Sequence, residues 1–483
     1  MACSKNEMVP IKTIPDEERI NKLKIIYQEE FGRKPSFFVR VPGRVNLIGE
    51  HIDYCGYPVL PMALEQDILI AVGLIDELEI SIRNVNKKYP NFYGILSTYE
   101  DMQIKSEVNE KPMWYNYVLC GVKGAMEYVG NKFSHGLQLC IDGNVPPASG
   151  LSSSSALVSA GCLAFLFANN VDISKSDIAS LCAISERYIG TQGGGMDQAI
   201  AFLAEKHCAQ YITWKPLKAD AVTLPENATF VVAHSLAEAN KAATNDFNCR
   251  VIECRLAAQI LASLTGAKSD SLTVTLSEVQ KILNESLENM VIFVHKYLPQ
   301  DIYTKDEICQ ILEIDSTKLD SLYLTPNTQH ISEFKLKQRA LHVYEEAMRV
   351  EAFRNTCIML TKNKFNGSAT NNGDHKTSLD DTVEILGTLM SKSHDSLKNL
   401  YECSHENLDR LVDISKGMNV HSRLTGAGWG GCIVALCQKQ QVEQYIEKLK
   451  EHFYVNHCKI DKVMTNQYVF STSPNHGAVI YSD

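Results

Sequence analysis

Residues 146–156 read PPASGLSSSSA and run directly into an apolar stretch at 157–167. Gly150 frees the backbone for a tight turn and for close approach of an anion. Ser152, Ser153 and Ser154 at the opening of a helix would leave peptide N–H groups unpaired and add hydroxyl donors. They would do so where the helix dipole favours negative charge. That is phosphate chemistry, and a serine is also a fair oxygen ligand for a nucleotide-bound magnesium ion. The same residues equally make a polar loop and an ordinary N-cap. Further candidates lie along the chain. Asp197 follows a glycine run that includes Gly194 and Gly195. A carboxylate there is either a turn residue or, within reach of a substrate hydroxyl, a general base. Glu50, His51 and Asp53 form a polar cluster after the apolar run 45–49, a pattern suited to vicinal hydroxyls and equally to a solvated turn. Arg44, Glu186, Asn240 and Lys241 read by themselves as surface charges and polar groups.

The elements that must place these residues follow from periodicity. Apolar residues at helical spacing predict helices over 16–31, 114–129 and 176–189. A strand over 37–41 is expected to end in a turn at Pro42-Gly43-Arg44, with further strands at 68–73, 78–82 and 137–141. A polar stretch at 217–228 containing Pro225 is the expected boundary, which divides the chain into domains 1–220 and 221–483. Beyond it come a strand at 229–233, a long helical region through 264, and helices over 272–297, 332–351, 381–400 and 407–416. A glycine cluster at 422–431 leads into a strand at 432–437, a helix at 441–452 and a last strand at 468–471. Residues 362–378 are poor in apolar side chains and read as a surface insertion.

Composition narrows the class. With 483 residues, the chain exceeds one ordinary core. A formal charge of −10 and the lack of a Lys/Arg-rich block argue against a nucleic-acid footprint. No stretch is long and apolar enough to predict a membrane span, and no leader is visible near Met1. Fifteen scattered cysteines without a C-x-x-C pair fit reduced thiols, hence a cytoplasmic protein. The Walker loop, the protein-kinase triplets and clustered metal-ligand motifs do not occur. No coiled-coil pattern appears, and a monomer is expected.

Three glycine-bearing motifs in order, PGRVNLIGEHIDY at 42–54, PASGLSSSSA at 147–156 and LTGAGWGGC at 424–432, resemble the galactokinase branch of the GHMP small-molecule kinases over nearly the full length. The resemblance implies an α+β, two-lobed fold. Its N-terminal domain would resemble ribosomal protein S5, and its C-terminal domain a ferredoxin-like sandwich. It implies ATP and Mg2+ as cofactors, Asp197 as base and Arg44 beside it. It also implies Glu50, His51, Asp53, Gly194 and Gly195 at the sugar. Gly150, Ser152, Ser153, Ser154, Asn240 and Lys241 would bind ATP, and Ser154 with Glu186 would bind the metal. The wording at 50–56, 186–197 and 240–244 points to N-acetylgalactosamine as the sugar, phosphorylated at the anomeric hydroxyl. Galactose is the alternative, and a non-catalytic sugar and ATP sensor is the alternative of another class. Two departures from ordinary galactokinases accompany this: Phe247 stands where they place a tyrosine, and the glycine stretch before Met196-Asp197 is one residue shorter.

Overall fold

The computed structural model describes residues 7–104, 112–238, 244–267, 273–365 and 379–483. Asn240, Lys241 and most of the insertion expected at 362–378 lie outside the described residues. The chain divides into two compact units. The first holds Met1–Arg44, Met62–Lys206 and Pro474–Asp483, and the second holds Val45–Pro61 and His207–Ser473. This differs from a single cut at 220. The segment after Arg44 joins the second unit, and the last ten residues return to the first.

The first unit is built on a seven-stranded sheet. Its spatial order is Ile11–Lys12, Val479–Tyr481, Phe37–Ile48, Leu60–Ile75, Gly136–Gly143, Glu79–Asn84, Phe92–Ile95. Glu79–Asn84 pairs parallel with Gly136–Gly143, whereas Leu60–Ile75 pairs antiparallel with it, setting Ala71 opposite Cys140. One face is covered by the helix Glu18–Phe31, whose Ile20, Leu23 and Tyr27 pack on Phe38, Leu69, Ala71 and Cys140. The helix Ser153–Ala168 that follows the serine loop is buried nearly all round, as its unbroken apolar run requires. It lies tight against the helix Trp114–Tyr128 because glycines face each other's backbones. A Cβ at Gly121 would stand 2.0 Å from the Val158 carbonyl oxygen, and one at Gly161 would stand 2.6 Å from that of Val118.

The expected turn at Pro42-Gly43-Arg44 is not formed. The strand runs unbroken from Phe37 to Ile48. Gly43 is needed for room rather than for a turn, since a Cβ there would meet the Leu151 carbonyl oxygen at 2.8 Å. The next peptide donates to that same oxygen, Arg44 N–H to Leu151 C=O at 3.1 Å. The serine loop therefore docks directly on this strand.

The second unit centres on a four-stranded antiparallel sheet ordered His421–Thr425, Cys432–Gln438, Ala228–His234, Val469–Thr472. The expected boundary stretch instead contributes a strand: Lys218–Thr223 pairs with Cys208–Thr213 as a hairpin. The helix expected over 272–297 is two helices, Leu276–Leu283 and Leu287–Tyr297, broken where Asn284 turns left-handed at φ 53°. The helix expected over 332–351 runs from Leu336 to Phe365. The α+β expectation is met. The fourteen cysteines among the described residues are free thiols, and no described helix is long and apolar enough to cross a membrane.

Candidate active site

In the first unit the serine loop turns on left-handed residues at alternate positions: Ala148 (φ 53°), Gly150 (φ 72°) and Ser152 (φ 63°). Such backbone makes successive N–H groups converge on an anion-sized space. Ser153 opens the helix, so Ser153 and Ser154 sit in its first turn, where N–H groups lack intrahelical partners. The Ser152 hydroxyl is buried with no protein partner. A buried hydroxyl without a hydrogen bond is costly, which suits a loop shaped for a ligand.

Arg44 and Asp197 meet beside this loop. Arg44 is 1% exposed, and its Nε and Nη2 both approach Asp197 Oδ1 at 2.7 Å. Its Nη1 donates to the Gly150 carbonyl. One guanidinium thus ties the carboxylate to the serine loop. Asp197 is carried on the helix Met196–Leu203, which the chain enters through Gly195 at φ 104°. Gly194 is partly exposed just ahead of it.

Glu186 lies at the first position of the short turn Glu186–Ile189 and is buried. The hydroxyl that meets it belongs to Ser155, the residue after Ser154. Ser155 Oγ lies 2.9 and 3.1 Å from the two Glu186 carboxylate oxygens and 3.2 Å from Asp197 Oδ2. Gln198 Nε2 donates to Glu186 as well. Ser155 and Gln198 were not singled out in the sequence. Ser155 sat in the same serine run, but nothing in the run said which hydroxyl would turn inward.

In the second unit Glu50 and His51 face the third glycine motif. Glu50 Oε2 accepts from Arg423 Nη2 at 2.8 Å and from the Gly426 N–H at 3.0 Å. His51, left-handed at φ 64°, lies 2.9 Å by Nε2 from the Ala427 carbonyl oxygen. A carbonyl only accepts, so Nε2 carries the proton. In the neutral ring Nδ1 then accepts from the Tyr54 hydroxyl at 2.8 Å. The chain continues through Tyr54 and Tyr401 hydroxyls 2.6 Å apart to Cys254 Sγ at 3.2 Å. Asp53 opens a short turn, Asp53–Cys55, with its carbonyl taking the Gly56 N–H. Phe247 is buried against His51 and Tyr54, ring centroids 5.7 and 5.8 Å apart, with Trp429 nearby. The glycine loop is held from both sides, Trp429 N–H to the Cys403 carbonyl and Gly431 N–H to that of Ala237. A Cβ at Gly428 would come within 2.1 Å of the Cys403 oxygen.

Asn46 was also passed over in the sequence. Its amide is fully buried, and neither side-chain polar atom has a protein partner.

A serine loop on a helix start, with a buried carboxylate–arginine pair beside it on a mixed sheet, defines a small-molecule kinase of the GHMP class. The N-terminal and C-terminal GHMP kinase domains match residues 116–205 and 379–455, and the galactokinase galactose-binding signature matches 26–74. The chain belongs to the galactokinase family. It is 39% identical to a galactokinase of Dictyostelium discoideum over 468 residues, 93% of this chain and 91% of the relative. It is 33% identical to one of Candida albicans over 504 residues, 96% and 95% of the two chains. The fold is shared with the crystal structure of Lactococcus lactis galactokinase complexed with galactose. That match has TM-score 0.70 and 21% identity, and covers 95% of this chain and 99% of that one. It is shared more loosely with Methanococcus jannaschii mevalonate kinase, at TM-score 0.53, 17% identity, 92% of this chain and 100% of that one.

Proposed function

We propose that the protein transfers the γ-phosphoryl group of ATP to the anomeric hydroxyl of a galactose-configured sugar, giving the sugar 1-phosphate and ADP. The observation that carries this reading is the buried Arg44–Asp197 pair fastened to the serine loop. Asp197 takes the proton from the anomeric hydroxyl as its oxygen bonds to the γ-phosphorus and the bond to the ADP oxygen breaks. A positioned base of this kind is typically worth about 10²–10⁴ in rate. Arg44 keeps the carboxylate ionised and sets positive charge beside the transferred group, where positioning and charge neutralisation do most of the work.

Backbone and hydroxyl donors of Gly150, Ser152, Ser153 and Ser154 would hold the nucleotide phosphates, with Asn240 and Lys241 assigned to the nucleotide by the resemblance. Magnesium is a hard cation that takes oxygen ligands. The carboxylate of Glu186 and the hydroxyl of Ser155 fit that requirement, and Ser155 replaces Ser154 as the serine we assign. The ion, when bound, would supply positive charge that offsets the negative charge of the phosphates. Glu50, His51, Asp53, Gly194 and Gly195 are assigned to the sugar. The free, mostly buried thiols suit a reducing compartment.

Which sugar is preferred has two readings, of which galactose has the stronger support. Galactose is supported by relatives whose names are galactokinase. N-acetylgalactosamine is favoured by Phe247, which packs on His51 and Tyr54 with no hydroxyl to offer. Steady-state kinetics with both sugars decide between them. The larger kcat/KM names the substrate, and failure to phosphorylate either one sinks the kinase reading in favour of a binding-only sensor.

A further inference from the structure

One buried polar stripe in the second unit is carried by helix residues that lie outside all three family matches, which cover 26–74, 116–205 and 379–455. It belongs to the helix Leu336–Phe365. His342, Glu346 and Val350 recur every four residues and so form one stripe of that helix. All three address the same short stretch of backbone. Glu346, fully buried, accepts the Gly49 N–H at 2.9 Å. His342, also fully buried, lies 3.0 Å by Nε2 from the Glu50 carbonyl oxygen, so that nitrogen donates. Gly49 sits at φ 100°, and a Cβ there would stand 2.9 Å from a Val350 methyl. The stripe thus takes the N–H of one residue and the C=O of the next, and leaves no room for a side chain between them.

The clamp is braced from its other side. Ser393 donates to Glu346 Oε1 at 2.6 Å, and Arg349 Nε donates to Oε2 at 2.6 Å. Ser396 pairs with His342 Nδ1 at 2.8 Å, donating to it because Nε2 holds the proton. Burial pushes the His342 pKa down to about 4, so the ring is neutral and keeps that single tautomer at physiological pH. A fully buried carboxylate needs several such partners, and here one of them is the backbone that carries Glu50 and His51.

We propose that Glu346 and His342 are positioning residues for sugar recognition, clamping the Gly49–Glu50 backbone so that the side chains of Glu50 and His51 are held for the sugar. The inference rests on reading the chain as a sugar kinase. Neither residue touches the reacting atoms.

The test compares Glu346→Leu, His342→Leu and His342→Gln with wild type, the last because glutamine can present an N–H near the position of Nε2. Loss of a hydrogen bond to a buried backbone partner predicts that KM for the sugar rises about five- to tenfold in Glu346→Leu and His342→Leu. KM for ATP should stay within about twofold, and His342→Gln should recover most of the loss. Hydrogen exchange of the peptide spanning 45–57 is followed in parallel and should quicken in the first two variants. A merely structural role would lower the folded fraction and leave both KM values unchanged, and that result overturns the proposal. If wild type phosphorylates neither sugar, the function reading fails. The exchange measurement needs no turnover and still decides the clamp: unchanged protection of 45–57 in all variants refutes it.

Discussion

Arg44 and Asp197, 153 positions apart in the chain, share a single carboxylate oxygen through two 2.7 Å contacts. The same guanidinium reaches the Gly150 carbonyl. A planar, forked donor holds both partners in one fixed geometry, which the compact, rotating ammonium of a lysine does not reproduce. Arg44→Lys is therefore expected to fold and to lose about 10²-fold in kcat, the usual cost of one well-placed charge-stabilising donor. Arg44→Ala leaves Asp197 buried without its cation and should destabilise the protein by about 3–5 kcal/mol, read by urea unfolding. An Arg44→Lys enzyme with wild-type kcat would refute the role given to the fork.

Ser155, rather than Ser154, links Glu186 to Asp197. Ser155→Ala should raise the Mg2+ concentration needed for half-maximal rate and lower kcat by about 10- to 100-fold, as loss of an orienting partner near a metal typically does. Ser154→Ala should change either quantity by less than about threefold, because the contact to Glu186 is not its own. Magnesium titrations of the two variants check this, and the reverse order would restore the assignment read from the sequence.

Stability should fall on acidification, in two windows. Burial lowers the His342 pKa from 6.5 to about 4, with Arg349 and Arg423 acting the same way and the Glu346 charge opposing them. Between these values the unfolded chain binds a proton that the native protein refuses. Stability is therefore full above pH 6.5 and drops on the order of 3 kcal/mol as pH falls toward 4. Glu346 follows: burial raises its pKa, but Arg349, Arg423 and His342 outweigh this and hold it at about 2. Its contribution is present above 4.5 and lost as pH falls from 4.5 toward 2. Urea unfolding at pH 7, 5.5 and 4.5 should show the first loss. In His342→Gln the slope should be flatter by about 1.4 kcal/mol per pH unit, one proton's worth. An unchanged slope would contradict a buried neutral His342.

Phe247 packs on the two aromatic side chains that the signature segment contributes, His51 and Tyr54. Phe247→Tyr adds a hydroxyl to this wall. The kcat/KM ratio of galactose to N-acetylgalactosamine should rise at least about threefold, as polar groups in a sugar pocket discriminate more strongly than methylenes. A ratio that stays put would remove Phe247 from the specificity argument.

Much of the site was legible because it is local. Gly150 through Ser154 and the approach to Asp197 carry their signals in consecutive residues, and the apolar run after the serines marked the helix Ser153–Ala168, whereas the short helix Met196–Leu203 that carries Asp197 was not expected. What was missed is tertiary. Pro42 and Gly43 look like a turn by type, but Gly43 is small because the Leu151 carbonyl lies on it. The strand Lys218–Thr223 is mostly exposed and reads as a polar linker until its hairpin partner is seen. His342 and Glu346 are indistinguishable in sequence from solvent-facing helical residues, because the backbone they hold lies nearly 300 positions earlier. Which of four adjacent serines meets Glu186 depends on where the helix begins, and residue types alone do not set that within one position.

The central claim is that Asp197 activates the anomeric hydroxyl for phosphoryl transfer. Its most direct test incubates wild type and Asp197→Asn with MgATP and either sugar. Sugar phosphate is followed by phosphorus NMR, and binding of both ligands by calorimetry. Wild type should form the 1-phosphate, while Asp197→Asn binds sugar and nucleotide but turns over about 10²–10⁴ times more slowly. An Asp197→Asn protein that matches wild-type turnover, or a product phosphorylated at another hydroxyl, would contradict the account.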